Sequence, residues 1–199
     1  LLIAIASSSL ATASELLPTI SVMPNQLKAG LFFQGEQVVI SAKLPPGKQV
    51  MVIVAGPQRD RNISKKIHQT GIWLNGPTSK LQDAPGYLAV LSTQPARQFD
   101  FNDQAGQLLA LLNYLPDTTT NQQQKEPETL PQWQSAYGQL LQNQGLLINR
   151  QDGSFINQTT GQLDIKLNLP SSAPTGDYQV ILLVDTEAGL SRLDARLEL

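Results

Sequence analysis

One short segment of this sequence concentrates the residue types that bind anions. Ten consecutive residues contain five basic side chains, although only 15% of the residues in the whole chain are charged. The five are Arg59, Arg61, Lys65, Lys66 and His68. Guanidinium and ammonium groups donate hydrogen bonds to oxyanions and to acidic protein surfaces. This basic cluster is therefore a candidate anion-binding or partner-docking face. The alternative is a solvated edge strand whose charges prevent aggregation.

Residue types that serve catalysis or metal binding are scarce. The chain has no cysteine and a single histidine, His68, so its side chains do not provide an ordinary zinc site. It also contains no nucleophile elbow, phosphate-binding loop or HExxH pattern. We therefore predict a protein that is not an enzyme and that has no cofactor or metal. A hydrolase is an alternative only if distant Asp, Ser and Lys side chains converge in a pocket.

The overall charge argues against one class of partner. The net charge is −2 at pH 7, and the basic residues form only the local cluster described above. Proteins that bind nucleic acid through its phosphates present a broad positive field. We therefore expect no nucleic acid among the partners.

The first residues predict secretion. Residues 1–10 form an apolar run that is too short to span a bilayer, and the next three residues, Ala-Thr-Ala, match the small-x-small pattern of a signal-peptide cleavage site. We expect residues 1–13 to be the remnant of a signal peptide. The mature chain would then begin at Ser14 or Glu15.

Residues 15–100 show the pattern of an antiparallel β fold. Short runs of β-branched and aliphatic residues alternate with Pro, Gly and Asn. The predicted strands are Thr19–Met23, Leu27–Gln34, Glu36–Leu44, Gln49–Ala55, Asn62–Thr70, Gly71–Leu74 and Tyr87–Thr93. Val50–Val54 is apolar throughout, which predicts a central strand buried on both faces. We expect Trp73 to be a core anchor, because Ig-like sandwiches commonly bury such an aromatic residue.

Residues 101–145 predict a helical insertion. Asp103 is a suitable N-cap for a first helix, and Pro116 would end it. The apolar residues of its expected buried face are Ala105, Leu108, Leu109, Leu112 and Leu115. Residues 117–128 contain no aliphatic or aromatic residue that could anchor them, so we expect a mobile loop there.

A second helix is predicted over Pro131–Asn143, with Gly145 as its end. Its expected apolar face consists of Trp133, Tyr137, Leu140 and Leu141. Both helices would bury one face against the β-strands, because no other part of the chain offers an apolar cover.

The β pattern returns in residues 146–199. Leu146–Asn149 and Ser154–Asn157 flank Asp152-Gly153, a dipeptide typical of hairpin turns. Gln162–Leu169 alternates strictly between apolar and polar residues, which predicts one buried face. These strands either complete the sandwich begun before the helices or form a small second one. The predicted fold class is thus mainly β, an Ig-like antiparallel β-sandwich, one large or two closely packed, with a two-helix insertion.

Two sequence blocks carry a resemblance to a known family. GPQRDRNISKKIHQTGIWLNG begins at Gly56, and APGYLAVLSTQP covers Ala84–Pro95. With QNQGLLI and LPSSAPTGDYQV further along, they resemble a proteobacterial family of membrane-anchored periplasmic proteins. The family tends to place an Arg before the proline where this chain has Gln94. Its members usually carry a C-terminal transmembrane helix, and this sequence reaches Leu199 without one.

The resemblance implies a location and a class of partner. A protein of this family would cross the inner membrane and face the periplasm, either soluble or anchored in its full-length form. Its members are associated with permeases that resemble sulfite and organic-anion exporters. We therefore expect a non-catalytic accessory module whose partner is a membrane protein or an envelope complex. The alternative is a soluble periplasmic protein that binds a small oxyanion through the Arg and Lys residues of the basic cluster.

Overall fold

The structure is a computed structural model that describes residues 19–30, 32–69, 71–99, 101, 105–116, 129–186 and 189–199. The expected signal-peptide remnant, the Asp103 cap and the expected loop at 117–128 lie outside these residues. Within them the chain forms β1 (Thr19–Met23), β2 (Gly35–Lys43), β3 (Val50–Ala55), β4 (Gln58–Gln69), β5 (Ile72–Pro85), β6 (Leu88–Ser92), α1 (Ala105–Leu112), α2 (Leu130–Asn143), β7 (Leu147–Arg150), β8 (Ile156–Asn157), β9 (Gln162–Pro170), β10 (Asp177–Thr186) and β11 (Gly189–Glu198).

Two sheets form a β-sandwich. One has four strands in the order β1-β2-β9-β8, and the other has five in the order β11-β10-β3-β6-β7. The pairs are antiparallel except β6 with β7, which is parallel. Buried side chains from both sheets and from the two helices form one hydrophobic cluster. The predicted fold class, mainly β with a helical insertion, is confirmed.

Strands on both sides of the helical insertion share the two sheets. In the four-stranded sheet, β9 pairs with β2 along nine residues, and in the five-stranded sheet β10 pairs with β3. All six side chains of β3 are buried, as its uninterrupted apolar sequence predicted. In β9 the buried and exposed side chains alternate, which confirms the predicted period of two.

Three predictions about strands are wrong. The strand predicted over Gly71–Leu74 is much longer, since β5 continues to Pro85. The described residues of Leu27–Gln34 form no strand; instead the Leu27 amide donates to the Glu198 carbonyl at 2.8 Å, so this segment lies beside β11. Asp152-Gly153 does not close a hairpin, because the strands before and after it belong to different sheets. The Gly153 amide donates to the Ser92 carbonyl at 3.3 Å, which holds this crossing against the end of β6.

The two helices are present but rotated slightly from the predicted faces. Trp133, Tyr137 and Leu141 are buried as expected, whereas Leu140 is exposed. In α1, Leu108 and Leu111 are buried and Leu109 is exposed. The three- and four-residue spacing of leucines in this segment is compatible with more than one buried face of the same helix. Only the packing of α1 against its neighbours selects Leu108 and Leu111 as the buried pair. Gly145 has a φ of +70° directly after Gln144, the C-cap of α2, which confirms the predicted end.

Candidate functional site

A long two-stranded hairpin carries the basic cluster. Strands β4 and β5 pair with each other and, within the described residues, with no other strand. We call residues 61–80 of this hairpin the arm and the rest of the protein the body. Every arm side chain that the structure describes is exposed or half-buried. Because side chains of a strand alternate between its two faces, both faces of the arm are open to solvent.

The arm is cationic and the body is acidic. Residues 61–80 contain four Lys or Arg residues and no Asp or Glu, which gives the arm a formal charge of +4 with its histidine neutral. Because the whole chain has a net charge of −2, the body carries −6. An extended element of one sign on a body of the other orients a protein near charged surfaces.

The end of the arm is apolar. Ile72, Trp73 and Leu74 are consecutive, and their side chains are 56%, 69% and 40% exposed. His68 lies opposite Trp73 in the register, and the centroids of the two rings are 4.9 Å apart. The alternation of a strand places Ile72 and Leu74 on the face opposite to Trp73. The tip therefore presents large apolar side chains on both of its faces.

The expectation that Trp73 is a core anchor is wrong. Both strands of the hairpin continue beyond the sandwich, so a residue near the turn has no sheet to pack against. The other tryptophan, Trp133 in α2, is only 8% exposed. In the core beneath the hairpin the aromatic pair is Tyr87 and Tyr178, whose ring centroids are 5.8 Å apart.

The five members of the basic cluster are spread along β4. Arg59 pairs with Ala84 near the body, whereas His68 pairs with Trp73 near the tip. Their separation of nine positions along β4 corresponds to roughly 30 Å of strand. A single small oxyanion does not reach across that length. The cluster therefore forms an elongated cationic edge, which suits an extended surface better than a small anion.

Two lysines of the arm have partners of different charge, Lys80 at the base and Lys66 further out. The Lys80 ammonium lies 2.6 Å from a carboxylate oxygen of Asp60, and both side chains are exposed. The hydrogen bond from Lys80 holds the pKa of Asp60 below its ordinary value. Lys66, further out, donates to the neutral Asn75 amide oxygen. Its positive charge is therefore not cancelled by that contact.

Arg61 borders a groove between the base of the arm and α2. The groove has a volume of about 300 Å³, and its lining includes Arg61, Ile63, Tyr137 and Leu140. Burial raises the pKa of the Tyr137 hydroxyl, and the Arg61 guanidinium, which is hydrogen-bonded to it, opposes that rise. The same hydroxyl donates to the Pro85 carbonyl at 3.3 Å. A guanidinium beside apolar side chains is chemically suited to an organic anion.

Sequence analysis missed Ile72, Leu74 and Lys80 as parts of this surface. Two signals in the sequence point to them. The twenty residues from Arg61 to Lys80 contain no acidic residue, and the apolar triplet directly follows Gly71. Gly71 has a φ of +84°, a value that side chains disfavour, so it marks the turn of the hairpin.

A comparison with protein families identifies the chain. The family model described as "Putative transmembrane protein (Alph_Pro_TM)" matches residues 19–198. The chain belongs to the Alph_Pro_TM family. The resemblance stated from the sequence is thus confirmed at the level of the family. Neither the curated proteins nor the solved structures include a match to the chain.

Two blocks that carry the resemblance to the Alph_Pro_TM family meet at the base of the hairpin. The Gly56 amide donates to the Tyr87 carbonyl at 2.8 Å, and the Gly86 amide donates to the Pro57 carbonyl at 3.0 Å. A Cβ on Gly56 would lie 2.9 Å from the Tyr87 Cβ, which is closer than side chains pack. The Gly-Pro and Pro-Gly-Tyr blocks therefore join β4 and β5 to the sandwich.

A third block of the resemblance packs against the same place. The Tyr178 hydroxyl donates to the Pro174 carbonyl at 2.7 Å. A Cβ on Gly86 would lie 2.7 Å from the Pro174 Cγ, and one on Gly176 would lie 2.8 Å from the Pro57 Cγ. The sequence blocks that carry the resemblance thus build the base of the hairpin, and the Gly-Ile-Trp-Leu-Asn block forms its tip.

None of the helices in the described part of this Alph_Pro_TM chain is long and apolar enough to cross a membrane. Across the described ranges, with their gaps, no three His, Asp or Glu side chains come together as a potential metal site.

Proposed function

We propose that this chain is a non-catalytic accessory module that faces the periplasm and docks on a membrane assembly through its arm. The observation that carries the proposal is the accessible cationic arm, with Trp73 exposed at its tip, on an acidic body. Trp and Arg are enriched among the residues that dominate the energetics of protein interfaces. Membership of a family described as transmembrane proteins supports a partner in or at the membrane.

The location and the partner class are part of the same proposal. The signal-like residues 1–13 support export. The resemblance to membrane-anchored periplasmic proteins supports an association with a permease of the anion-exporter type. The single histidine, His68, packs on Trp73 at the tip of the arm, which supports a binding role for it rather than a catalytic one.

The test is gentle co-purification of the full-length protein from its native membrane, followed by mass spectrometry. We expect a membrane protein or envelope complex in a fixed ratio to the wild-type chain. A variant with Lys65→Glu and Lys66→Glu should lose it. A matched variant with Lys28→Glu and Lys166→Glu has the same net charge but changes exposed residues of the body, and it should retain the partner.

Two results would contradict this function. One is the absence of any reproducible partner of the wild-type protein. The other is recovery of the same partner in the same ratio with the arm variant. Circular dichroism and thermal unfolding of each variant would show that the substitutions leave the fold intact.

A second candidate function is the binding of a small oxyanion. The observation that favours it is the groove in which the Arg61 guanidinium lies beside Tyr137. Arg59 does not line this groove, and Lys65 and Lys66 lie four and five residues further along β4. The candidate site is therefore Arg61 with its groove, and the fitting ligand is an anion with a short apolar part.

Thermal unfolding with added sulfate, phosphate, sulfite or an alkanesulfonate tests this candidate. A ligand that binds the folded state raises the unfolding temperature as its concentration rises. The shift should disappear in Arg61→Ala and persist in Arg59→Ala, which removes an equal charge outside the groove lining. An equal shift in both variants would assign the effect to general screening of charge.

A further inference from the structure

The apolar tip of the arm exposes large side chains on two opposite faces, which limits the partners that can bury it. Trp73 occupies one face of the hairpin, and Ile72 and Leu74 occupy the other. A partner with a flat surface would cover one of these faces and leave the other in water. A fluid interface surrounds an inserted hairpin and removes both faces from water together. Burial of exposed apolar area is the main favourable contribution to such insertion.

The residues behind the tip match the chemistry of a lipid surface. Trp is enriched at the boundary between the hydrocarbon and the headgroups, where its ring is buried and its N–H remains near water. Lys66 lies two residues before His68, the residue that pairs with Trp73. This separation corresponds to about 7 Å along the strand. Interfacial elements bury their apolar side chains about 5–10 Å deep. When the tip is inserted to that depth, Lys65 and Lys66 lie at the level of the lipid phosphates.

The opposite charges of the body and the arm favour a bilayer of anionic lipids as the partner. The body carries −6 and is repelled by anionic lipids, whereas the arm carries +4 and is attracted. These forces act over about 8 Å at physiological ionic strength. The arm is long enough to keep most of the body beyond that range while its tip contacts the surface. Attraction and repulsion therefore favour the same orientation, with the tip towards the bilayer.

We propose that the distal end of the arm inserts into the surface of an anionic lipid bilayer. The apolar tip enters the headgroup boundary, and the Lys residues behind it bind the lipid phosphates. This inference rests on the proposed function, in which the arm is the docking element, and it names the lipid surface as what the tip contacts. A protein that buries the apolar tip itself is the competing occupant.

The first experiment is co-sedimentation of the purified full-length chain with protein-free vesicles. Equimolar phosphatidylglycerol and phosphatidylcholine provide the anionic surface, and phosphatidylcholine alone provides the neutral one. We expect binding to the anionic vesicles that weakens as salt is added. Trp73→Ala should weaken it roughly tenfold through the loss of buried apolar area. Lys65→Ala with Lys66→Ala should weaken it roughly thirtyfold.

A charge-matched pair of variants separates the arm from general electrostatics. Lys65→Glu with Lys66→Glu changes the arm, and Lys28→Glu with Lys166→Glu makes the same net change in the body. We expect the arm variant to lose vesicle binding and the body variant to retain most of it. Equal losses in the two variants would overturn the proposal, because binding would then depend on total charge and not on the arm.

Fluorescence reports whether the tip itself enters the lipid. The chain has two tryptophans, so Trp133→Phe leaves Trp73 as the sole source of tryptophan emission. We expect the emission to shift to shorter wavelength on anionic vesicles and to be quenched by lipids brominated near the headgroup. The complementary variant, Trp73→Phe, keeps the buried Trp133 and should show neither effect. An unchanged emission of Trp73 on anionic vesicles would overturn the proposal.

The outcome of this experiment is distinguishable from that of the co-purification. If protein-free vesicles fail to bind the chain while a protein partner is still recovered through the arm, the lipid proposal is overturned and the proposed function stands. If vesicles bind and Trp73 enters the lipid, the lipid proposal is supported without any protein partner. If neither the vesicles nor a partner depend on the arm, both proposals fail.

Discussion

In the sandwich, β3 buries all six of its side chains, whereas no described side chain of the arm is buried. Both regions are paired β-strands, yet their side chains contribute differently to the free energy of unfolding. In the body, each buried apolar side chain stabilises the folded state because its surface is removed from water. In the arm, the backbone hydrogen bonds between β4 and β5 and the packing at the base of the hairpin hold the structure. The side chains of the arm are therefore available for binding at little cost to stability.

The largest expected contrast between the two regions comes from truncating one large apolar side chain in each. Ile53→Ala in the centre of β3 should lower the free energy of unfolding by about 2–5 kcal/mol, because it leaves a cavity in a fully buried site. Trp73→Ala should change it by less than about 0.5 kcal/mol. Urea denaturation followed by circular dichroism measures both. A large loss in Trp73→Ala would show that the tip packs against another part of the protein.

The contact between α2 and the turn that follows α1 gives the next largest effect. A Cβ on Gly138 would overlap the Tyr114 carbonyl oxygen, so Gly138→Ala should lower the free energy of unfolding by about 1–3 kcal/mol. Gly106→Ala in α1 is the matched control, because a Cβ there has no neighbour within 4 Å. Its helix propensity should raise stability by up to about 1 kcal/mol. Thermal unfolding compares the pair, and equal effects would contradict close packing of Gly138 against this turn.

Two buried tyrosines beneath the base of the hairpin provide a smaller test. Tyr178→Phe removes the hydrogen bond to the Pro174 carbonyl and should cost about 0.5–1.5 kcal/mol. Tyr87→Phe should cost nothing measurable, because the Tyr87 hydroxyl has no hydrogen-bond partner among the described residues. Chemical denaturation of the two variants in parallel measures the difference. A cost for Tyr87→Phe equal to that for Tyr178→Phe would show that both hydroxyl groups are bonded.

The smallest expected effect is a shift in the pKa of one exposed carboxylate at the base of the arm. The hydrogen bond from Lys80 lowers the pKa of Asp60, so this contact stabilises the folded state above the ordinary pKa of Asp, and the contribution is lost as the pH falls through the lowered value. Lys80→Ala should raise the pKa of Asp60 towards its ordinary value. NMR titration measures it, with Asp152 as the internal control. Hydrogen bonds from Ser154 and the charge of Arg150 lower the pKa of Asp152, and Lys80 is not among its causes, so this pKa should not change.

The success of the strand predictions followed the strength of the local pattern. The alternation in β9 and the continuous apolar run in β3 each allow one arrangement that keeps polar groups in water. The hairpin prediction at Asp152-Gly153 was wrong because a turn signal is local and does not name the partner strand. A glycine with positive φ serves a hairpin or a crossing between sheets equally well.

The sequence by itself determined the β composition, the buried strands, the end of α2 and the cationic segment without acidic residues. Each of these features depends on residue types and their spacing over a short stretch of the sequence. The predicted end of α1 at Pro116 was wrong, because that helix stops at Leu112. Only the tertiary structure decided that Trp73 lies in solvent. The same apolar pattern is compatible with a core strand and with a projecting hairpin. The difference arises because β4 and β5 pair only with each other among the described residues, while strands distant in sequence complete the sandwich.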